Sequence, residues 1–556
     1  GGGCLDAFVV ALGQACDRTG WYACTMQLQL ASLAFCMACR SVPTLHLILD
    51  DDDPTMPAHL LEAASCRNPG EESATRVPRF RALRATWFSA SAAVIRRPIY
   101  VLEDAVALEF DDDITDNLDG VVWPRRLERL MIHSVEAIEK VSWPKSLRRL
   151  TFGDHFNLPI EAASWPPLLQ QLEFGCFFNQ PVEGVTWPPS LQDLTFGDEQ
   201  YSCFNQEVER VEWPASLQRL ALSQDFDRVV ERMVFPLALQ ELTFGSAFNR
   251  PIEAVAWPNS LRKLAFGAQF NRPVEGVAWP ASLRTLTFGN RFNQAIVGVA
   301  WPASLREVVF GDDFNQRIVG VSWPTSLQQL MFGRLFNQAI EGVSWPAALQ
   351  RLTFGFFFDQ AVEGVVWPAS LQRLTLGFCF QQPIERMSLP QSLERITFEG
   401  IFNRAVAGTS WPPSLQRLTF GDSFDQPIAG ASWPASLQRL DFGVAGAFNQ
   451  PIEEVLWSVS LQEITFGDSF NQLIENVSWP PSLRKLTLGK AFNQPLEGPS
   501  WPTSLQQLAL GSGFNQPLRG IGVWIPNLVK LTILRVFGLY HHPLADVQWP
   551  TGLHKL

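Results

Sequence analysis

The sequence predicts a repeat solenoid. In it a parallel β-sheet takes one short strand from each ~22-residue repeat. The return legs are extended or 3-10, and there is little α-helix outside the N-terminal region. Three observations carry this. A Trp-Pro corner recurs at a fixed step, as at Trp257, Trp279, Trp301, Trp323, Trp345 and Trp367, and a fixed period of this size marks a stack of like units. After each corner polar and apolar residues alternate, as in KLAF, RLTF or QLMF, the pattern of a strand with one buried face. Between strands there is no room for an amphipathic helix of ten or more residues.

Numbering the slots of a repeat from Leu261 places Leu at slots 1 and 4, Phe at slots 6 and 10, Val at 14 and 17, and Trp-Pro at 19 and 20. Slots 4 and 6 should point inward, and slots 3 and 5 outward. Gly at slot 7, such as Gly267, is expected to end the strand by adopting backbone angles that other residues avoid. The P-x-S corner is turn chemistry, because Pro fixes φ and removes a donor. A second short strand is expected near V-x-W. Slot 11 holds Asn249, Asn271, Asn293, Asn315, Asn337, Asn471 and Asn493, with Asp359, Asp425 and Gln381 in the same place. A fixed polar slot beside a buried Phe reads as structural, satisfying backbone groups that a tight coil leaves unpaired. One such unit buries too little to offset its own ordering, so only stacking stabilises it.

Imperfect copies follow the same logic. Phe235 and Leu389 replace Trp and stay apolar. Extra residues fall between Phe196 and Phe204 and between Phe442 and Phe448, after the strand, where a coil can bulge. Residues 103–123 read as a decayed first unit with Leu108, Phe110 and Leu118 in the core slots. The domain reading is therefore an N-terminal region at 1–102, partly helical or disordered, and a solenoid of about twenty repeats at 103–556. The best helix of the first region is RFRALRATWFSASAAVIRR, residues 79–97. The GGGC start without Met and the stop at Leu556, just as a new strand opens, point to a fragment or an imperfect gene model.

Composition excludes several classes. The net charge of −12 argues against a general nucleic-acid partner. Six of the nine cysteines precede residue 67 and the solenoid has three, in unlike slots, which is no disulfide framework. It points to a reducing compartment, with a lean to the cytoplasm. Cys36-x-x-Cys39 is half a zinc pattern without a second half. The apolar stretch within residues 21–49 is interrupted by Gln27 and Gln29 and has no basic start, so a membrane span is not expected.

The string W-P-x-S-L-Q-x-L-x-F-G-x-x-F-N-Q-P-I-E-G-V resembles the FNIP repeat, a leucine-rich-repeat variant. Phe314-Asn315-Gln316 and Phe470-Asn471-Gln472 carry the match, each preceded by the L-x-x-x-x-F-G strand pattern. Here the order is F-N-Q-P-I, and the corner carries Trp rather than Ile, which changes the core size and not the architecture. The resemblance spans roughly residues 103–556. It implies a leucine-rich-repeat-like solenoid used for protein interaction, often joined to an F-box. No F-box pattern is evident in the first hundred residues, so an adaptor role in ubiquitin ligation is not supported.

No catalytic motif is present: there is no G-x-S-x-G, H-E-x-x-H or G-x-x-x-x-G-K-[ST], and the slot-15 acids such as Glu341 and Glu363 form a solvated row. The chain therefore reads as non-enzymatic, with no cofactor and no metal. Function should lie in the outward strand slots. Slot 5 is mostly Thr, which suits an exposed strand. Slot 3 varies: Lys263, Thr285, Glu307 and Gln329, then Arg351, Arg373, Arg395, Arg417 and Arg439, then Glu463 and Lys485. Five Arg in one slot would stack about 4.8 Å apart and repel, so the row should seek carboxylates, which the guanidinium fork pairs well. Asp422 and Asp468 at slot 8 are candidate internal partners. The reading is a protein-interaction scaffold whose exposed strand face, at this Arg row, meets an unknown protein with an acidic segment. The alternatives are a structural spacer without a specific ligand and, more weakly, a carbohydrate-binding solenoid.

Overall fold

The computed structural model describes residues 123–133, 135, 137–197, 201–533 and 542–554, with Leu118 and the strands Leu45–Asp50, Leu83–Phe88 and Ala107–Phe110 before them. Cys36, Cys39 and most of the apolar N-terminal stretch lie outside the described residues. The chain divides into two compact units, Gly1–Gln180 with Val185–Leu191, and Pro181–Gly184 with Gln192–Leu556.

In the first unit successive strands from Leu45–Asp50 to Gln171–Phe174 pair in parallel. Leu83–Phe88 lies inside the stretch expected to be helical and is instead a strand. Its Leu83, Ala85 and Trp87 alternate with period two, the competing signal in the same residues. Leu108 and Leu118 are buried, as the decayed first repeat requires.

The second unit is the longer solenoid. One strand per repeat runs from Asp193–Phe196 to Lys530–Ile533, each parallel to the next and in register. Slots 4 and 6 are buried and slots 3 and 5 face outward, as in Arg373–Leu376. The insertions leave the register intact: Asp193 still pairs with Arg219, and Arg439 with Glu463. The first bulge is tied down by Ser202, whose Oγ accepts from the Gln224 N–H at 2.7 Å.

The return legs are extended segments joined by turns, closed by Phe270 N–H to the Gly267 carbonyl, Val277 N–H to Val274 and Leu283 N–H to Pro280. No 3-10 helix occurs among the described residues, and the one helical turn is Ile521–Trp524. The second strand expected near V-x-W is likewise absent there. Trp279 and Trp301 stack there with ring centroids 6.3 Å apart.

The role expected of the slot-7 glycine is also corrected. In the regular repeats positive φ occurs at slot 16, at Gly276 or Gly364, and not at Gly267, Gly289 or Gly377; at slot 7 it occurs at Gly197 and Gly443, where the two insertions begin. Slot 7 needs Gly because backbones pack there: a Cβ on Gly289 would run into the Gly267 carbonyl, and one on Gly377 into that of Gly355. In these regular repeats the constraint is close approach between repeats, while at Gly197 and Gly443 backbone conformation also requires glycine.

Three columns hold the repeats together. Phe rings stack, with Phe288, Phe310 and Phe332 at 5.4 and 5.7 Å and Phe292 and Phe314 at 6.0 Å. Ser at slot 22 donates to the slot-1 carbonyl of its own repeat, closing one coil, as Ser282 does to Leu261 at 2.6 Å. Slot 11 behaves as expected. The Asn293 N–H donates to Asn271 Oδ1 at 3.0 Å, and the Gln294 amide donates to the same oxygen at 2.9 Å. Asp359 and Asp425 serve equally, accepting from the Gln381 and Asn449 N–H groups. The slot needs an acceptor, which Asp and Asn both supply.

Candidate protein-docking face

Strand pairing places Arg351, Arg373, Arg395, Arg417 and Arg439 side by side on the outward face. Their neighbours at slot 5, Thr353, Thr375, Thr397 and Thr419, form a second, uncharged row in the same register. Arg351, Arg373 and Arg417 are exposed, while Arg395 and Arg439 are half-buried. All five sequence-predicted residues are therefore brought together.

The Arg439 end of the row is ion-paired within the chain, and the Arg351 end has only a neutral amide contact. Arg439 contacts Asp441 Oδ2 at 3.2 Å and Glu463 Oε2 at 3.3 Å. Arg351 reaches Gln329 Oε1 at 3.5 Å. Among the described residues Arg373, Arg395 and Arg417 have no ion-pair partner. Neither expected acid reaches the row. Asp468 pairs with Lys490, and Asp422 forms no ion pair among the described residues. Burial, and then the charges of Arg417, Arg373, Arg439 and Arg351, hold Arg395 below the ordinary guanidinium value. The direction is that of a charge surrounded by like charges.

Sequence reasoning missed an apolar patch in the same repeats, at slots 8 and 9. Phe356 and Phe378 stack at 4.4 Å and 4°. The Arg334 guanidinium lies over Phe356 at 5.2 Å and Phe357 at 5.6 Å, within cation–π range. Leu335, Phe357, Phe378 and Ile401 are each 37–40% exposed. The signal was present in the sequence: slots 8 and 9 read Asp312-Asp313 in one repeat and Phe356-Phe357 two repeats later. An open depression beside the patch is lined by Arg291, Asp313, Arg334, Leu335 and Phe357. Among the described residues no helix is long and apolar enough to cross a membrane.

With this geometry in place, comparison with known proteins is informative. The FNIP repeat model matches residues 136–177, 248–291, 292–335, 358–400, 402–444, 448–491 and 492–533, together more than half of the chain. No curated protein matches. Among solved structures, the chain is similar to CroV588, described as a novel circular LRR protein. The match is 33% identical, covers 85% of this chain and 75% of that one, and has a TM-score of 0.66. TLR13 in complex with ssRNA13 is 15% identical over 83% of this chain and 78% of that one, with a TM-score of 0.46. A leucine-rich-repeat protein of Leptospira interrogans is 16% identical over 69% and 89%, with a TM-score of 0.35. The chain belongs to the FNIP repeat family and is a leucine-rich-repeat-like parallel β-solenoid, a fold commonly used for protein interaction.

Proposed function

We propose that this protein is a non-enzymatic protein-interaction scaffold whose exposed strand face docks an acidic segment of a partner protein on the Arg351–Arg439 row. One observation carries the reading: Arg373, Arg395 and Arg417 stand in register without a carboxylate among the described residues, while Arg439 at the row's end has two. A partner carboxylate would relieve that repulsion and gain charge-assisted hydrogen bonds. The reading places the protein and its partner in the cytoplasm.

An immobilised Glu-rich peptide tests it. Wild-type protein should be retained at low salt and released as salt rises, since exposed charges are screened. The R373E/R395E/R417E variant should pass through with its thermal stability unchanged. Equal retention of both proteins would reject the row as the site.

A spacer without a selective ligand is the second reading. It rests on the recurrence of L-Q-R-L-T in the repeats that begin at Leu349, Leu371 and Leu415, because copying would multiply Arg whether or not it binds. Carbohydrate binding gains nothing from the corner rings: Trp323, Trp367 and Trp411 are buried in the stack.

A further inference from the structure

Resting on the Arg-row reading, we infer that the partner segment is an acidic amphipathic α-helix, lying along the row of strands with its acids on Arg373, Arg395 and Arg417 and its apolar side on Phe357, Phe378 and Ile401. The argument is one of matching periods. Neighbouring strands lie about 4.8 Å apart, so Arg373 to Arg417 spans about 10 Å in two steps. A helix rises about 5.4 Å per turn, so acids at i, i+4 and i+7 cover about 11 Å on one face. Alternate residues of an extended chain are about 6.8 Å apart, and three of them would overshoot by about 4 Å.

The width agrees with the period. Slots 3 and 8 are five residues apart, about 15 Å or less along the strand and turn. A helix with its side chains is about 10–12 Å across, so one helix can touch both the guanidinium row and the Phe356–Phe378 stack. Between them lie the Thr375 and Thr397 row and the side-chain-free Gly355 and Gly377, which leave the path low. The patch residues Phe357, Phe378 and Ile401 lie in the repeats that begin at Leu349, Leu371 and Leu393, and the unpaired arginines in those that begin at Leu371, Leu393 and Leu415, so the two rows overlap with an offset of one strand. Slots 8 and 9 carry Asp312-Asp313 before the patch and Asp422-Ser423 in the Arg417 repeat, where the patch ends.

The test uses two synthetic peptides of equal net charge binding to the full chain. One is a helix-stabilised peptide with Glu at i, i+4 and i+7 and Leu on the adjacent face; the other is a flexible Glu-Gly peptide. The helical peptide should bind at least about tenfold more tightly, the order expected from burying one or two large apolar side chains. F357S and F378S should each remove most of that advantage and leave the flexible peptide unaffected. I401S provides an independent check should F378S disturb its stack with Phe356. R373E/R395E/R417E should weaken binding of both peptides about a hundredfold. Equal affinity for the two peptides, or a helical advantage that survives F357S and I401S, overturns the helix inference while the Arg row stands. Binding of both peptides that survives the triple Arg variant overturns the row itself.

Discussion

Slot 3 is filled in two ways within one unit. From Asp193 through Arg219 and Glu241 to Lys263 the charges alternate in register. From Arg351 to Arg439 they are all positive. In the first region Arg219 makes a bidentate pair with Asp193 at 2.6 and 2.7 Å. That hydrogen bond, then the Asp193 charge, then Glu241 raise its proton affinity against the opposing effect of burial. In the second region Arg395 is shifted the other way by burial and by four arginines. The backbone is the same, as is the strand spacing. The scaffold therefore does not require the Arg run, and an alternating arrangement is available on the same slot. The run is a surface feature whose middle arginines have no carboxylate partner among the described residues, and this is what makes it the place to look for a partner.

The largest effects should be indifferent to this contrast. G267A and G377A sit in the alternating and the all-Arg region, and in both a Cβ meets the carbonyl of the preceding slot-7 glycine. Each should cost about 3 kcal/mol or more, read by chemical denaturation. A large difference between them would mean that the two regions do not share one scaffold. Next comes charge reversal: R373E/R395E/R417E should weaken capture of an acidic peptide about a hundredfold, near 2.7 kcal/mol. Reversing Arg219 alone should leave capture unchanged.

Slot 11 comes third. N271L strips an acceptor from Asn293 and Gln294, and N403L strips one from Asp425 and Gln426. Each should cost about 2 kcal/mol, and N271D almost nothing, because Asp already fills the slot at 359. The smallest effects should carry opposite signs. R219A should lose up to about 1 kcal/mol, while R395Q should gain a few tenths. Both should fade in high salt. Equal signs would erase the difference between the two regions.

Much of this was legible in the sequence because each repeat states the rule again. Alternation at slots 3 to 6 located the strands, and the fixed Asn beside Phe located the slot-11 ladder. Less legible was anything that depends on the distance between repeats. The need for Gly289 arises from the Gly267 carbonyl, one repeat away in space, and no single repeat displays it. The corner Trp promised a second strand by composition, and the legs there are extended without a ladder. Slots 8 and 9 differ from repeat to repeat, and that hid the ring contacts of Phe356 with Phe357 and Phe378. At residues 83–88 a helical composition outweighed a period-two pattern that was equally present.

The slot-11 chain has one more consequence. Asn293 gives to Asn271 what Asn315 gives to Asn293, so each link is interchangeable with the next. Excising one whole period rejoins like with like, and duplicating one adds a link without refitting those on either side. The molecule can therefore change its length by unequal exchange between copies of its own gene sequence. The reach of the positive stripe would change with it, one guanidinium at a time.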